Sequence, residues 1–208
     1  MKVLLINGSS APKGCTFTAL NEVAMVLQEQ NIETEIVSIG NAPLRDCINC
    51  RQCNTKYEGC VFNDDIINEL IQKAKEADGF IFGTPVYYAH PSGRILSALD
   101  RMFYSSKSAF LFKPGAAIVS ARRAGTTASL DVMNKYFTIA EMPVVSSSYW
   151  NMVHGVRAED VKEDQEGVQI MRNLGRNMAW MLKCLEAGKK MGIQTPMNEY
   201  GSRTNFVR

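Results

Sequence analysis

Two rhythms of apolar and polar residues alternate along the chain. Residues 2–6, 79–83 and 116–120 are short apolar runs with no polar side, the pattern of strands buried on both faces. Residues 33–39 contain Thr34, Ile36 and Val37, which favour extension, and 144–149 is read as a fifth strand. Helical stripes lie between these runs. They are Leu20, Val23, Ala24 and Leu27; then Ile67, Leu70, Ile71 and Ala74; then Ile95, Leu96, Leu99, Met102 and Phe103. Residues 127–140 predict a further helix, and Met171, Leu174, Met178, Met181, Leu182 and Leu185 stripe a long last one. Asn63 or Asp64 is placed to cap the second helix. Strands separated by helices predict parallel β-α-β units, hence an α/β fold: a doubly wound five-stranded parallel sheet with helices on both faces. Ligands of such sheets sit beyond the carboxyl ends of the strands, where the winding reverses. The segments after each strand are therefore the first places to look for chemistry.

Composition narrows the class. Of the 208 residues, 46% are apolar and 21% charged, which excludes a disordered chain or a charge-rich coiled coil. A net charge of +2 is too small for a nucleic-acid partner. No run approaches the ~18 apolar residues of a membrane span. The opening run Val3-Leu4-Leu5-Ile6 stops at Asn7-Gly8-Ser9, short of the about 7–15 residues of a signal peptide. The expectation is a cytoplasmic protein with one domain over residues 1–188, a cysteine-rich loop at 45–61 and a tail at 189–208. The tail is expected to cover its own surface or a partner subunit. Met178, Trp180, Met181, Met191 and Met197 give the last helix and tail more apolar surface than a small doubly wound sheet needs, which predicts a homo-oligomer.

The first loop reads Asn7-Gly8-Ser9-Ser10-Ala11-Pro12-Lys13-Gly14-Cys15-Thr16 and runs into a helix. Small residues let backbone N–H groups turn toward an anion, and the helix N-terminus adds partial positive charge. Ser9, Ser10 and Thr16 add hydroxyl donors, so the loop suits a phosphate. It is not a nucleoside-triphosphate loop, because no lysine follows Gly14, and it lacks the dinucleotide pattern of glycines. The third strand ends in Gly83-Thr84-Pro85-Val86-Tyr87-Tyr88-Ala89-His90-Pro91-Ser92-Gly93, with prolines that stiffen it and tyrosines that offer surface to a flat ligand. The fourth ends in Ser120-Ala121-Arg122-Arg123-Ala124-Gly125-Thr126-Thr127.

Taken together, Asn7-Gly8-Ser9 with Gly14-Cys15-Thr16, Gly83-Thr84-Pro85-Val86-Tyr87, and Ser92-Gly93 leading to Leu99-Asp100-Arg101 resemble the flavodoxin-fold NAD(P)H-dependent FMN reductases. The resemblance covers about residues 1–188. It implies FMN with its phosphate on Ser9, Ser10, Gly14, Cys15 and Thr16. It implies the isoalloxazine ring between Pro85, Val86, Tyr87 and Tyr88 on one side and Ser120, Ala121, Arg122, Arg123 and Gly125 on the other. Ala11 stands where many relatives carry a cationic residue, and Lys13 is the cation available instead. The resemblance also implies a homodimer or homotetramer. NAD(P)H would pass hydride to the flavin, and a flavin, quinone, azo compound or protein would take the electrons. No protein acid or base is required for that transfer, and His90 and His154 are assigned no catalytic role. Two other classes are a flavodoxin-like electron carrier, which the mild positive charge disfavours, and a flavin-free regulatory domain.

Four of the six cysteines crowd together. Cys47, Cys50, Cys53 and Cys60 read C-x2-C-x2-C-x6-C, which in a reducing compartment points to a metal or redox site. Four thiolates suit a [4Fe–4S] cluster or a zinc ion. The spacing resembles the loop of the iron–sulfur flavoproteins, where a cluster would exchange single electrons with FMN. Thiols with no metal, in a protein that uses FMN alone, are the competing reading. Cys15 and Cys184 are expected to be unligated.

Overall fold

The structure is a computed structural model that describes residues 1–54, 59–202 and 204. Residues 55–58 of the expected cysteine-rich segment lie outside the described residues, as do 203 and 205–208 of the tail.

Strand β1 (Lys2–Asn7) passes through helix α1 (Cys15–Glu29) to β2 (Glu33–Ser38). An irregular stretch with a short 3-10 turn at Gln52–Asn54 reaches α2 (Ile67–Glu76). Strand β3 (Gly79–Tyr87) turns back as the two-residue β4 (His90–Pro91), and α3 (Gly93–Ser106) follows. Then come β5 (Gly115–Ala121), α4 (Thr126–Ile139), β6 (Met152–His154), α5 (Ala158–Glu163) and α6 (Gln165–Lys190). The main sheet has the order β2-β1-β3-β5-β6 with every neighbour parallel, and β4 pairs antiparallel with β3. This is the flavodoxin-like doubly wound arrangement. The winding reverses between β1 and β3, so the loops after those strands diverge at one edge of the sheet.

Alternation along the strands builds two cores. Leu4 and Ile6 of β1, Phe80 and Phe82 of β3, and Ala117 and Val119 of β5 face α2, α3 and α4. Val3, Leu5, Ile81, Ala116 and Ile118 face α1 and α6. Covering on both faces explains why these runs contain no polar side. The first core is aromatic: Phe82 stacks on Phe137 with centroids 5.4 Å apart, and Phe103 on Phe110 at 4.1 Å. The long helix α6 lies directly against α1, because Gly175 leaves no space for a Cβ, which would stand 2.9 Å from that of Val26.

The end of the chain departs from the sequence reading. Of residues 144–149, only Val144 makes a bridge, to Gly115. The fifth parallel strand is instead Met152–His154, paired with Val119–Ala121. The intervening Ser146-Ser147-Ser148 engages side chains: Asn173 donates to the Ser148 hydroxyl and Asn177 to the Ser146 carbonyl. Helix α5 was not foreseen, since Val161 alone among its six residues is buried. Helix α2 is not capped by Asn63 or Asp64; Asp65 Oδ1 accepts the Ile67 N–H instead. Met178 is fully buried and Met181 packs against the core, whereas Trp180, Met191 and Met197 are exposed. In the tail, Asn198 and Tyr200 donate to the Glu141 carboxylate. Among the described residues, no helix is long and apolar enough to cross a membrane.

Edge strand β2 is tied down electrostatically. Glu35 receives Lys2 at 2.8 Å and Lys73 of α2 at 2.6 Å. Hydrogen bonds from Lys2 and then Lys73 hold the Glu35 carboxyl below the ordinary carboxylate range. Its stabilisation is complete above the unfolded value of about 4.3 and is lost as pH falls through the lower folded value. Glu35→Gln is expected to cost up to about 1 kcal/mol at neutral pH and to flatten the acid limb of the urea-stability profile below about pH 4.3.

Candidate functional site

The reversal point is held together by backbone in close approach. The Gly8 N–H donates to the Gly83 carbonyl at 2.8 Å. A Cβ on Gly8 would stand 2.7 Å from Ile95 Cβ and 2.8 Å from that carbonyl, so only glycine fits. A Cβ on Gly83 would meet Thr16 and Leu20 of α1 at under 3 Å. Ser92, the N-cap of α3, donates its hydroxyl to the Gly8 carbonyl at 3.0 Å and its N–H to Thr84 Oγ1 at 3.0 Å. Thr16 Oγ1 and Ser120 Oγ share a buried hydrogen bond of 2.8 Å across 104 positions of sequence. The loops after β1, β3 and β5 are thus joined at one edge.

The first loop spends several backbone donors on itself, the Gly14 N–H on the Ala11 carbonyl among them, and keeps others open. Ser9 is buried; its N–H donates to Asn7 Oδ1 and its Oγ accepts from the Ala11 N–H, each at 3.1 Å. The Ser9 O–H proton is left for another acceptor. Asn7 is itself braced by donating to Ser38 Oγ at the end of β2. Gly14 is the extended N-cap of α1, no side chain caps the helix, and its first turn carries no acidic residue. The N–H groups of Cys15 and Thr16 therefore open the helix dipole toward an anion. Ser10 and Lys13 are exposed beside them. Burial pushes the Cys15 thiol up, and the thiol donates to the Arg157 carbonyl, so it serves as packing rather than as a nucleophile.

Two walls face this loop. Val86 and Tyr87 of β3 pair with Pro91 and His90, and the connecting Tyr88 and Ala89 have φ of 50° and 62°. Both central residues are left-handed, as in the turns that suit twisted hairpins. Tyr88 is 99% exposed at the tip and Tyr87 is half-exposed. In the opposite wall Ser120 and Ala121 are buried while Arg122 and Arg123 are exposed. Gly125 sits at φ +92° with its α-carbon against Ala89, where a Cβ would stand 2.6 Å away. Pro85, at the register of Ser120, completes the floor.

A second site lies along α3. Cys47, Cys50, Cys53 and Cys60 line one pocket with Phe62 and Arg101. Asn49 and Arg51 are left-handed, with φ of 51° and 59°, which coils the three-cysteine stretch tightly. Cys60 is anchored by Asn68 of α2, which accepts its N–H and donates to its carbonyl, both at 2.8 Å. Burial pushes the Cys53 thiol up, and the neighbouring Cys50, Cys47 and Cys60 add to that shift. Among the described residues, no three His, Cys, Asp or Glu side chains converge closely enough to hold a metal ion as they stand. Cys15 and Cys184 are elsewhere, Cys184 exposed on α6. Sequence reasoning missed Asn68 and Asp65 as partners of this loop, and had Ser92 and Arg101 only as parts of a motif.

A doubly wound sheet with an open anion cradle at its reversal point and two loops facing across it defines a flavodoxin-like cofactor-binding protein. A family model described as NADPH-dependent FMN reductase matches residues 1–157. The chain belongs to that family of oxidoreductases. It is similar to an iron–sulfur flavoprotein of Methanocaldococcus jannaschii, 33% identical over 196 residues that span 89% of this chain and all of the relative. In fold it is similar to an NAD(P)H:quinone oxidoreductase from Methanothermobacter marburgensis, with a TM-score of 0.65 and 14% identity, covering 86% of this chain and 96% of that one. It is likewise similar to a flavone reductase, with a TM-score of 0.68 and 19% identity over 89% of this chain and 64% of that one.

Gly8→Val is expected to force the β1 and β3 loops apart, lowering stability by about 1–3 kcal/mol as overpacking does. Urea denaturation checks this, and an unchanged midpoint would remove the close approach from the account.

Proposed function

We propose that the chain is an FMN-dependent oxidoreductase that draws electrons from NAD(P)H and passes them to a flat acceptor at the flavin or, one at a time, through a cluster held by its cysteine loop to a protein acceptor. The observation that carries the reading is the uncapped N-terminus of α1, opened beside buried Ser9 and Thr16 at the junction of three loops. When bound, FMN exchanges hydride with a nicotinamide and single electrons with one-electron partners, and a [4Fe–4S] cluster carries single electrons.

The residues divide the work. Cys15 and Thr16 present backbone N–H groups to the phosphate, with Gly14 as the side-chain-free N-cap beneath it, the Ser9 and Ser10 hydroxyls beside them and Lys13 as the nearby cation. Pro85, Val86, Tyr87 and Tyr88 flank one side of the ring, and Ser120, Ala121, Arg122, Arg123 and Gly125 the other. The exposed Tyr87 and Tyr88 leave that edge open to a flat nicotinamide and then to a flat acceptor such as a flavin, a quinone or an azo compound. The hydride transfer asks for orientation rather than for a protein acid. Cys47, Cys50, Cys53 and Cys60 fit the cluster by donor chemistry: four sulfurs around one pocket. Cys47 and Cys50 are exposed on irregular backbone, so the loop has freedom to draw them inward. The names of relatives such as the Methanocaldococcus jannaschii protein favour this over zinc or bare thiols. Exposed Trp180, Met191 and Met197 support a homodimer or homotetramer.

Riboflavin, which lacks the phosphate, is expected to bind at least about tenfold more weakly than FMN in fluorescence titrations. Ser9→Ala, which removes the open hydroxyl donor of the loop, is expected to cost about 1–2 kcal/mol of FMN affinity. Equal affinity for riboflavin and FMN would sink the cradle assignment. Anaerobically reconstituted protein is expected to hold about four irons per chain. Cys50→Ser should remove the iron and leave FMN bound, since the two sites use different segments. A protein that stays iron-free after such reconstitution excludes the cluster.

A further inference from the structure

The most deeply buried cation among the described residues touches the cysteine loop. The Arg101 side chain is fully shielded from solvent, and Asp65 is 7% exposed. The two form a forked pair: Nη1 donates to Asp65 Oδ2, and Nη2 to Oδ1 at 3.1 Å. Nη1 also donates to the Arg45 carbonyl at 3.2 Å. The Nε–H points to Cys60 Sγ at 3.2 Å. Phe62 covers the group, with its ring centroid 5.2 Å from Arg101 Cζ and 4.8 Å from that of Arg45.

An ion pair with Asp65 alone would not require this geometry. A lysine gives a point charge, whereas the planar guanidinium can grip a carboxylate with one edge and still donate from Nε. Here that spare donor lies on sulfur, so the cation stands nearer the cysteine than its counter-ion does. Each electron added to a thiolate-bound cluster increases its negative charge. A permanent cation and an N–H on a ligand sulfur stabilise the reduced form more than the oxidised one, which raises the reduction potential. Low solvent access prevents water from screening the effect.

We infer that Arg101 is a positioning and tuning residue of the cysteine loop, holding the Cys60 sulfur as a ligand and raising the potential of the cluster. The inference rests on the cluster reading given above. Asp65 opposes Arg101 from the far edge, so the pair sets the potential by the difference between two charges. This assigns opposite signs to the two partners, which a purely structural role would not do.

The test is a potentiometric titration of anaerobically reconstituted full-length protein, followed by EPR of the reduced cluster. Arg101→Gln alone would strand the buried Asp65 carboxylate and risk unfolding, whereas Asp65→Asn leaves the guanidinium its amide oxygen, the Arg45 carbonyl and the Cys60 sulfur as acceptors, and the double variant buries no charge at all. The comparison is therefore among wild type, Asp65→Asn and the Asp65→Asn/Arg101→Gln double variant. Asparagine keeps an oxygen for the Ile67 N–H. The expected order of potential is Asp65→Asn highest, wild type next, and the double variant lowest. Between Asp65→Asn and the double variant, the ratio of reduced to oxidised cluster at a fixed potential should fall at least about tenfold, about 59 mV for one electron. Equal potentials in those two variants, with iron and sulfide intact, would overturn the role of Arg101 and leave the cluster standing. Wild-type protein that takes up no iron would overturn both, and the wild-type iron assay alone tells the cases apart.

Discussion

The contact between Gly8 and the Gly83 carbonyl is the constraint on which the rest of the molecule depends. Two neighbouring parallel strands part company there, and their loops run in opposite directions over the sheet. With no side chain between them, the loops start from backbone touching backbone. Ser92 then bridges Gly8 and Thr84, and Thr16 reaches Ser120. A parallel sheet buried on both faces leaves few other places for polar backbone to meet. The cradle is the place where the fold must satisfy its own strand ends, and the donors left over, at the start of α1, face the same edge.

The cysteine pocket follows a different logic. Its loop has little regular structure, so its position comes from partners outside it. Asn68 of α2 clamps the backbone of Cys60, Arg101 of α3 reaches its sulfur, and Asp65 joins the two helices. Helix α3 serves both sites, with Ser92 capping its start at the cradle and Arg101 two turns on at the cysteines. One rigid element thereby fixes the relation between the loop cradle and the sulfur-rich pocket.

Much of this was legible in the sequence because burial on both faces leaves an unmistakable apolar run, as at residues 79–83. The sixth strand left no such trace. Met152–His154 has three residues, too few for a period, while Val144 and Val145 advertised a strand that the following serines could not sustain. The loops after the strands were readable because small residues, prolines and hydroxyls cluster there for a physical reason. Arg101 was not. It falls among the apolar positions of α3, and pattern reading sends a charged residue to the surface. Only the fold, by bringing residue 65 and residue 60 beside residue 101, supplies the partners that make its burial tolerable. Asn68 was hidden in the same way.

The hairpin tip of Tyr88 and Ala89 carries a consequence for kinetics. Two residues with side chains in the left-handed region are each unfavourable by roughly 1 kcal/mol, yet the short β3–β4 pairing and the seat of Gly125 against Ala89 hold them there. A tip so constrained has few alternative conformations to surrender. The backbone entropy of the tip is lost when the chain folds, so a contact formed there orders only the exposed Tyr88 side chain. Contacts at such a tip form and break quickly, because little backbone must be ordered on arrival and little is released on departure.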